Sequence, residues 1–77
     1  MNAADLRTRL KQKRIPEDAY TLLSHEKSES LCLQKNEGKW VVFYSERGMH
    51  TNEKYFDNED LACHYFLLTI SEWFKKS

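Results

Sequence analysis

The stretch that decides the fold covers residues 35–56 and reads KNEGKWVVFYSERGMHTNEKYF. It contains both glycines of the chain, Gly38 and Gly48, and each closes a short polar turn between two runs that contain apolar residues. Glycine adopts a positive φ without steric cost, which the last position of a tight hairpin turn requires. We therefore expect a three-stranded antiparallel meander with strands at 30–35, 39–44 and 49–56.

The predicted strands differ in where their apolar residues fall. In the second strand, apolar residues stand at odd and even positions alike, in the run WVVFY at 40–44. A strand of this kind is at least partly covered on both sides, so it is expected at the centre of the sheet. The third strand is mostly polar and is expected at an edge, where Glu53 and Lys54 discourage pairing with another chain.

Helices are predicted at both ends of the chain. The first covers 2–14, with Asn2 as its cap, and Pro16 forces its end. Its narrow apolar stripe consists of Ala3, Leu6 and Leu10. The last helix is expected to start with Asp57 as its N-cap and to run to about residue 75, since acidic residues suit a helix N-terminus.

Length and charge narrow the protein class. The 77 residues are enough for one domain, and 12 Lys and Arg balance 12 Asp and Glu, so net charge predicts neither nucleic-acid nor membrane binding. No apolar run has the roughly 20 residues of a membrane span, and no signal peptide is recognisable, so a cytoplasmic protein is expected. The sequence thus predicts one α+β domain over 1–77, ordered α-β-β-β-α. A three- or four-stranded antiparallel meander, the fourth strand at 20–23, carries the C-terminal helix on one face and an N-terminal helix nearby.

The predicted C-terminal helix is apolar on two sides. One wide face, which the sheet can cover, holds Ala62, Cys63, Phe66, Leu67, Ile70, Trp73 and Phe74. Leu61, Tyr65 and Leu68 fall near the opposite side and need another cover. Either the N-terminal helix packs there through Leu6 and Leu10, or the three residues form a surface for a partner or a second copy.

The second hairpin turn has two interpretations. It places the carboxylate of Glu46 and the guanidinium of Arg47 beside Tyr44. One interpretation is a type I turn with a glycine bulge at Gly48 and solvated charges. The other is a recognition tip, in which Arg47 binds a carboxylate or phosphate and Tyr44 anchors the contact.

Catalytic and metal-binding patterns are weak. The candidate metal ligands are His25, Cys32, His50, Cys63 and His64, and no pair of them has the spacing of a zinc site. Cys63 near a helix start could have a lowered pKa, but its place on the apolar face favours a buried, inert thiol. Two free thiols are expected, with a structural disulfide between them as the alternative. No metal, cofactor or catalytic residue is therefore predicted.

A basic stretch lies on the N-terminal helix. Arg7, Lys11 and Arg14 are expected on one face, which could touch phosphate. A solvated helix face is the more common arrangement, so nucleic-acid binding is the third of the functional hypotheses below.

Residues 40–48 (WVVFYSERG) and 56–66 (FDNEDLACHYF) resemble a pattern in small bacterial proteins found beside polymorphic, contact-dependent toxins. That pattern has a tryptophan strand, a Y-S-E-R-G turn and an acidic helix start followed by A-C-x-Y; residues 15–20 (IPEDAY) are also similar. The resemblance implies an immunity-type protein, a cytosolic binder that blocks a cognate toxin, often a nuclease or other hydrolase. The polar, glycine-free loop at 24–30 departs from the pattern. The resemblance supplies no catalytic or ligand residues.

The leading hypothesis from the sequence is a non-enzymatic, protein-binding inhibitor of this type. The candidate partner-binding residues are Tyr44, Glu46, Arg47, Tyr55, Leu61, Tyr65 and Leu68. If the toxin is a nuclease, the acidic residues Glu26, Glu29, Glu46, Glu53, Glu59 and Asp60 would mimic phosphates. The alternatives are a homodimeric structural or regulatory module that pairs through Leu61, Tyr65 and Leu68, and a nucleic-acid-binding protein.

Overall fold

A computed structural model describes residues 1–24 and 27–75. The elements in chain order are α1 (Ala3–Gln12), a 3₁₀ turn (Glu17–Ala19), β1 (Tyr20–Leu22), β2 (Ser30–Asn36), β3 (Lys39–Glu46), β4 (Met49–Phe56) and α2 (Glu59–Trp73). The four strands form one sheet in the order β1-β2-β3-β4. The predicted α+β class is confirmed, as are the central position of β3 and the edge position of β4.

Two tight turns build the antiparallel part of the sheet. Glu37 and Gly38 join β2 to β3 with φ of 51° and 82°, and Arg47 and Gly48 join β3 to β4 with φ of 52° and 80°. Positive φ at both central positions of a two-residue hairpin is the type I′ geometry, whose twist matches that of the strands. The meander was thus correctly predicted, but the expected type I turn with a bulge at Gly48 is wrong.

The first strand differs from the predicted meander. β1 pairs with β2 in parallel, with Tyr20 opposite Leu31 and Leu22 opposite Leu33. The face of the sheet opposite the helices is here called the outer face. Ser30, Cys32 and Gln34 lie on it, because they alternate along β2 with the core residues Leu31 and Leu33. The Ser30 hydroxyl donates to the Lys27 carbonyl at 2.8 Å, and the Gln34 amide donates to the Ser24 carbonyl at 3.0 Å.

Both helices pack on the other side of the sheet. Leu6 and Leu10 of α1 and Phe66 and Ile70 of α2 are fully buried there. The remaining buried members of this core are Ile15, Tyr20, Leu22, Leu31, Leu33, Val42, Ala62 and Cys63. A smaller cluster of Cys32, Val41 and Phe43 lies on the outer face. The His50 ring stacks on Phe43 with centroids 4.0 Å apart.

Polar contacts tie the starts of the two helices together. Asn2 caps α1 in a capping box with Asp5. The Met1 ammonium group contacts the Asp60 carboxylate, and the Ala3 N–H donates to Glu59 at 2.8 Å. The N-cap of α2 is Asn58, which accepts from the Leu61 N–H at 2.9 Å. The predicted cap, Asp57, lies one residue before Asn58, and its carboxylate instead binds the Lys39 ammonium group.

The two cysteines are free and buried, as expected. Cys32 belongs to the outer-face cluster and Cys63 to the core under the helices. The sheet therefore separates them, and the alternative of a structural disulfide is wrong. Neither helix of the described residues is long and apolar enough to cross a membrane.

Candidate protein-binding groove

A groove lies between one flank of α2 and the helix-facing side of the sheet near β4. From α2 it is lined by Tyr65, Thr69 and Trp73, which share a flank because they are four residues apart. The sheet contributes Leu31, Val42, Tyr44, Asn52 and Lys54. The groove encloses about 150 Å³ and is called the α2–β4 groove below. Beside Tyr44, Asn52 and Trp73 it widens into a shallow hollow of about 260 Å³.

Aromatic pairs hold the two ends of the groove. Trp73 meets Tyr44 edge to face, with ring centroids 5.3 Å apart and planes at 87°. Tyr65 packs against Phe56 at 5.3 Å. Trp73 was expected on the buried face of the helix, but it is the last residue of α2 and 47% of it is exposed. The prediction fails because helical periodicity gives the direction of a side chain but not where the sheet beneath it ends.

A bulge in β4 shapes the sheet side of the groove. The pairing of β3 with β4 shifts between Val42 and Tyr44, and Asn52 has a φ of 55° at this point. Asparagine is one of the few residues that tolerate this conformation. Bulges are common next to functional sites because they redirect side chains. Here the two residues that β4 contributes to the groove, Asn52 and Lys54, lie on either side of Glu53.

Lys54 gives the groove a positive charge. Its side chain lines the cavity and forms no ion pair with any residue in the described ranges. The sequence predicts for Lys54 only the protection of an edge strand and no role in binding. Lys54 lines the groove because it lies close to the bulge in β4. No local sequence pattern predicts that bulge, so the sequence contains no signal for this role of Lys54.

The structure distributes the predicted partner-binding residues over several surfaces. Tyr44 and Tyr65 line the groove, whereas Glu46 and Arg47 are exposed at the β3–β4 turn. Tyr55 is paired with Val41, so it lies on the outer face, and 56% of it is exposed. The sequence had no means to separate these surfaces, because the relevant contacts join distant parts of the chain.

One side of α2 is exposed, which rules out the interpretation that α1 covers it. Leu61 and Leu68 are 52% and 70% exposed, so α1 does not cover them. The two leucines of α1 that were expected to do so, Leu6 and Leu10, belong instead to the core between helices and sheet. A partner or dimer surface at Leu61 and Leu68 remains a hypothesis.

The burial of Cys63 argues against a reactive thiol at this position. Burial raises the pKa of its thiol to about 11, and the Glu59 carboxylate adds to this effect. The thiolate is the nucleophilic form of cysteine, so little of the reactive species exists at neutral pH. The alternative of a lowered pKa is therefore contradicted. No group of three or more His, Cys, Asp or Glu residues suited to a metal ion occurs among the described residues; His25 and Glu26 lie outside them.

Two other hollows lie beside α1. One of about 440 Å³ is bordered by Lys13, Leu68 and Glu72, and another of about 450 Å³ by Asp5, Arg9 and His64. Both have exposed charged side chains at their borders. The expected basic face of α1 is not formed as predicted, because the helix ends at Gln12 and Arg14 lies beyond it with a φ of 61°.

Comparisons with known proteins give no further assignment. The chain matches no protein-family model, no curated protein and no solved structure. The resemblance to immunity-type proteins therefore stays a prediction from residues 40–48 and 56–66.

Proposed function

We propose that this chain is a non-enzymatic binding protein that blocks a bacterial toxin, with the α2–β4 groove at the centre of its interface. The observation that carries the proposal is the pair of Trp73 and Tyr44, which presents a partly exposed indole beside a cavity. Tryptophan and tyrosine are the residues most enriched among those that dominate binding energy at protein interfaces.

The size of the groove favours a side chain of a protein as its occupant. Its volume of about 150 Å³ is smaller than the roughly 300–1,000 Å³ of typical small-molecule sites. An aliphatic or aromatic side chain would fill it and be desolvated between Tyr65 and Trp73. Surrounding contacts would then exclude water, as they do around the dominant residues of known interfaces.

The choice of a toxin as partner rests on the sequence resemblance. Phosphate mimicry by acidic residues is not part of the proposal, because several of those carboxylates already have partners inside the molecule. Asp60 contacts the Met1 ammonium group, Glu59 accepts from the Ala3 N–H, and Glu53 lies 3.2 Å from His50. We therefore propose that the chain blocks its toxin sterically, by binding it through the groove.

The proposal is tested by capture followed by neutralisation. The chain, tagged at its C-terminus, is used to capture partners from its native cells, and the catalytic domain of any captured toxin is then coexpressed with it. We expect the wild-type chain to restore growth and Trp73→Ala and Tyr44→Ala each to weaken binding at least tenfold. Asp18→Ala, at an exposed position before β1 on the opposite edge of the sheet, serves as the control and should bind normally. Failure of the wild-type chain to bind and neutralise a toxin would overturn the proposal.

A second candidate function is a homodimeric module. It is favoured by the exposure of Leu61 and Leu68, which are seven residues apart and so share a side of α2. Sedimentation over a wide concentration range tests it. A chain that stays monomeric at high concentration excludes the dimer, whereas a dimer dissociated by Leu68→Glu supports it.

A further inference from the structure

We infer that an extended strand of the partner pairs with the open edge of β4 and places its alternate side chains in the α2–β4 groove. This inference rests on the proposed function, which it deepens by stating how the partner binds. The ligand class is a peptide segment in β conformation that carries an acidic residue with an apolar residue two positions away. Three observations support it: an open strand edge, the length of the groove and a cation, Lys54, that has no ion pair with a described residue.

The edge of β4 is open in the sheet of the described residues. β4 has only β3 as a neighbour, and Lys54 and Phe56 lie opposite Val42 and Trp40. The two-residue turn makes Glu46 and Met49 a hydrogen-bonded pair, and alternation along β3 then directs Val42 and Trp40 toward β4. The backbone amides and carbonyls of Glu53 and Tyr55 consequently point away from β3, where an added strand can bond to them.

The groove is about as long as the part of β4 that follows the bulge. Tyr65 and Trp73 mark its two ends on α2, and eight residues of helix span about 12 Å. On β4, the bulge at Asn52 leaves Glu53 to Phe56 as a regular segment, which at about 3.4 Å per residue is of similar length. An added strand would therefore run beside the whole groove, with every second side chain on its helix-facing side.

Charge complementarity specifies one residue of the partner. Lys54 lies on the groove side of β4 and makes no ion pair with a described residue. A residue directly opposite it on an added strand would project to the same face, at the close separation of cross-strand neighbours. An aspartate or glutamate at this position would pair with Lys54. The residue two positions along the strand would then lie beside Tyr65 or Trp73 and is expected to be apolar.

The first test uses a phage-displayed library of random 12-residue peptides, selected on the wild-type chain immobilised through its C-terminus. We expect enriched peptides that combine an acidic residue with an apolar residue two positions away, and synthetic copies that bind in solution. Trp73→Ala and Lys54→Glu should each weaken binding at least tenfold, whereas Asp18→Ala, at an exposed position before β1 on the opposite edge of the sheet, should change it less than twofold. A peptide with lysine in place of its acidic residue should recover binding to Lys54→Glu.

Backbone pairing is tested separately from side-chain contacts. N-methylation of the peptide at one set of alternate amides should weaken binding at least tenfold, and methylation of the intervening amides should not. The Tyr55 amide should exchange its hydrogen more slowly in the complex. Absence of enriched peptides, tolerance of methylation at every amide, or equal binding by Trp73→Ala would overturn the inference.

The two proposals fail in different ways. A toxin that is neutralised normally by both Lys54→Glu and Trp73→Ala would overturn the strand-addition mode and leave the inhibitor function intact. Selected peptides that bind by strand addition, in a chain that neutralises no toxin, would overturn the inhibitor function and leave the binding mode intact.

Discussion

Arg47 occupies a position that a two-residue hairpin turn usually gives to asparagine or glycine. Its φ of 52° lies in the left-handed region, which costs an ordinary residue about 1–2 kcal/mol. The neighbouring Gly48, with a φ of 80°, bears no such cost. The Arg47 N–H donates to the Ser28 hydroxyl at 3.1 Å, a bond that any residue except proline could make.

At the residue scale we therefore predict that Arg47→Asn stabilises the chain. Asparagine followed by glycine is the preferred pair in type I′ turns, so the free energy of unfolding should rise by about 0.5–1 kcal/mol. Urea denaturation measures the change. The control is Glu46→Asn, which places the same residue in the adjacent extended strand, where asparagine is disfavoured and no gain is expected. A loss of stability in Arg47→Asn would contradict the prediction.

At the scale of one element, the two sides of α2 should respond differently to mutation. Phe66 is fully buried, and Phe66→Ala is expected to lower the free energy of unfolding by about 3–5 kcal/mol, enough to unfold much of a small domain. Ile70→Val at another fully buried site should cost about 1 kcal/mol and keep the chain folded. Leu68→Ala on the exposed side should change stability by less than about 0.5 kcal/mol.

Denaturation at two protein concentrations completes this experiment. A monomer gives the same midpoint at both concentrations. If Leu68→Ala costs as much as Ile70→Val, and the difference grows with concentration, Leu68 is covered by a second copy in solution. That result would contradict the prediction for Leu68 and favour the homodimer.

The elements differ in how far the sequence could predict them. Gly38 and Gly48 locate the β2–β3 and β3–β4 turns because a positive φ at the last turn position is a local requirement. The parallel pairing of β1 has no such signal, since a connection of seven residues is shorter than most parallel strands need. The contact of the Ser30 hydroxyl with the Lys27 carbonyl, just before β2, is likewise not encoded by any local pattern.

The groove was not predicted from the sequence, for the same physical reason. Tyr44 and Tyr65 were candidate binding residues, but Tyr44 was expected at the tip of the hairpin and Tyr65 on the side of α2 away from the sheet. Trp73 was expected on the buried face, and Lys54 only as a charge that protects an edge strand. Their roles depend on where α2 ends relative to the β3–β4 hairpin and on the bulge at Asn52. Both are properties of the packed molecule and have no counterpart in helical or strand periodicity.

At the scale of the whole molecule, the Met1–Asp60 contact joins the start of α1 to α2 and predicts a pH dependence. The hydrogen bond to Asp60 raises the pKa of the Met1 ammonium group above its ordinary value of 8.0. The hydrogen bond from Met1 holds the pKa of Asp60 below its ordinary 3.8. The ammonium group therefore contributes stability fully below pH 8, and this is lost as the pH rises through the raised pKa. The contribution of Asp60 is lost as the pH falls through its lowered pKa.

Asp60→Asn should therefore be less stable than the wild type at pH 7.5, and the difference should shrink at pH 9.5. Urea midpoints at the two pH values, measured on chains with an unmodified amino group, test this. Asp57→Asn is a matched control, because it removes the carboxylate of another exposed ion pair, whose cation is the side chain of Lys39 and not the amino terminus. Its difference from the wild type should stay constant. A constant difference for Asp60→Asn as well would contradict the assigned contact.

The groove also predicts how the two tryptophans report on binding. Trp73 is 47% exposed beside an open cavity, whereas Trp40 lies in the central strand with the Lys35 ammonium group 5.2 Å from its ring centroid. In Trp40→Phe, whose only tryptophan is Trp73, acrylamide should quench the emission efficiently. A selected peptide or a captured toxin should shift that emission to shorter wavelength and protect it from quenching, because binding removes the indole from water. The matched variant Trp73→Phe, which keeps Trp40, should show neither change with the peptide. A response from Trp40 alone would place the interface on another part of the molecule, since the groove is lined by Trp73 and not by Trp40.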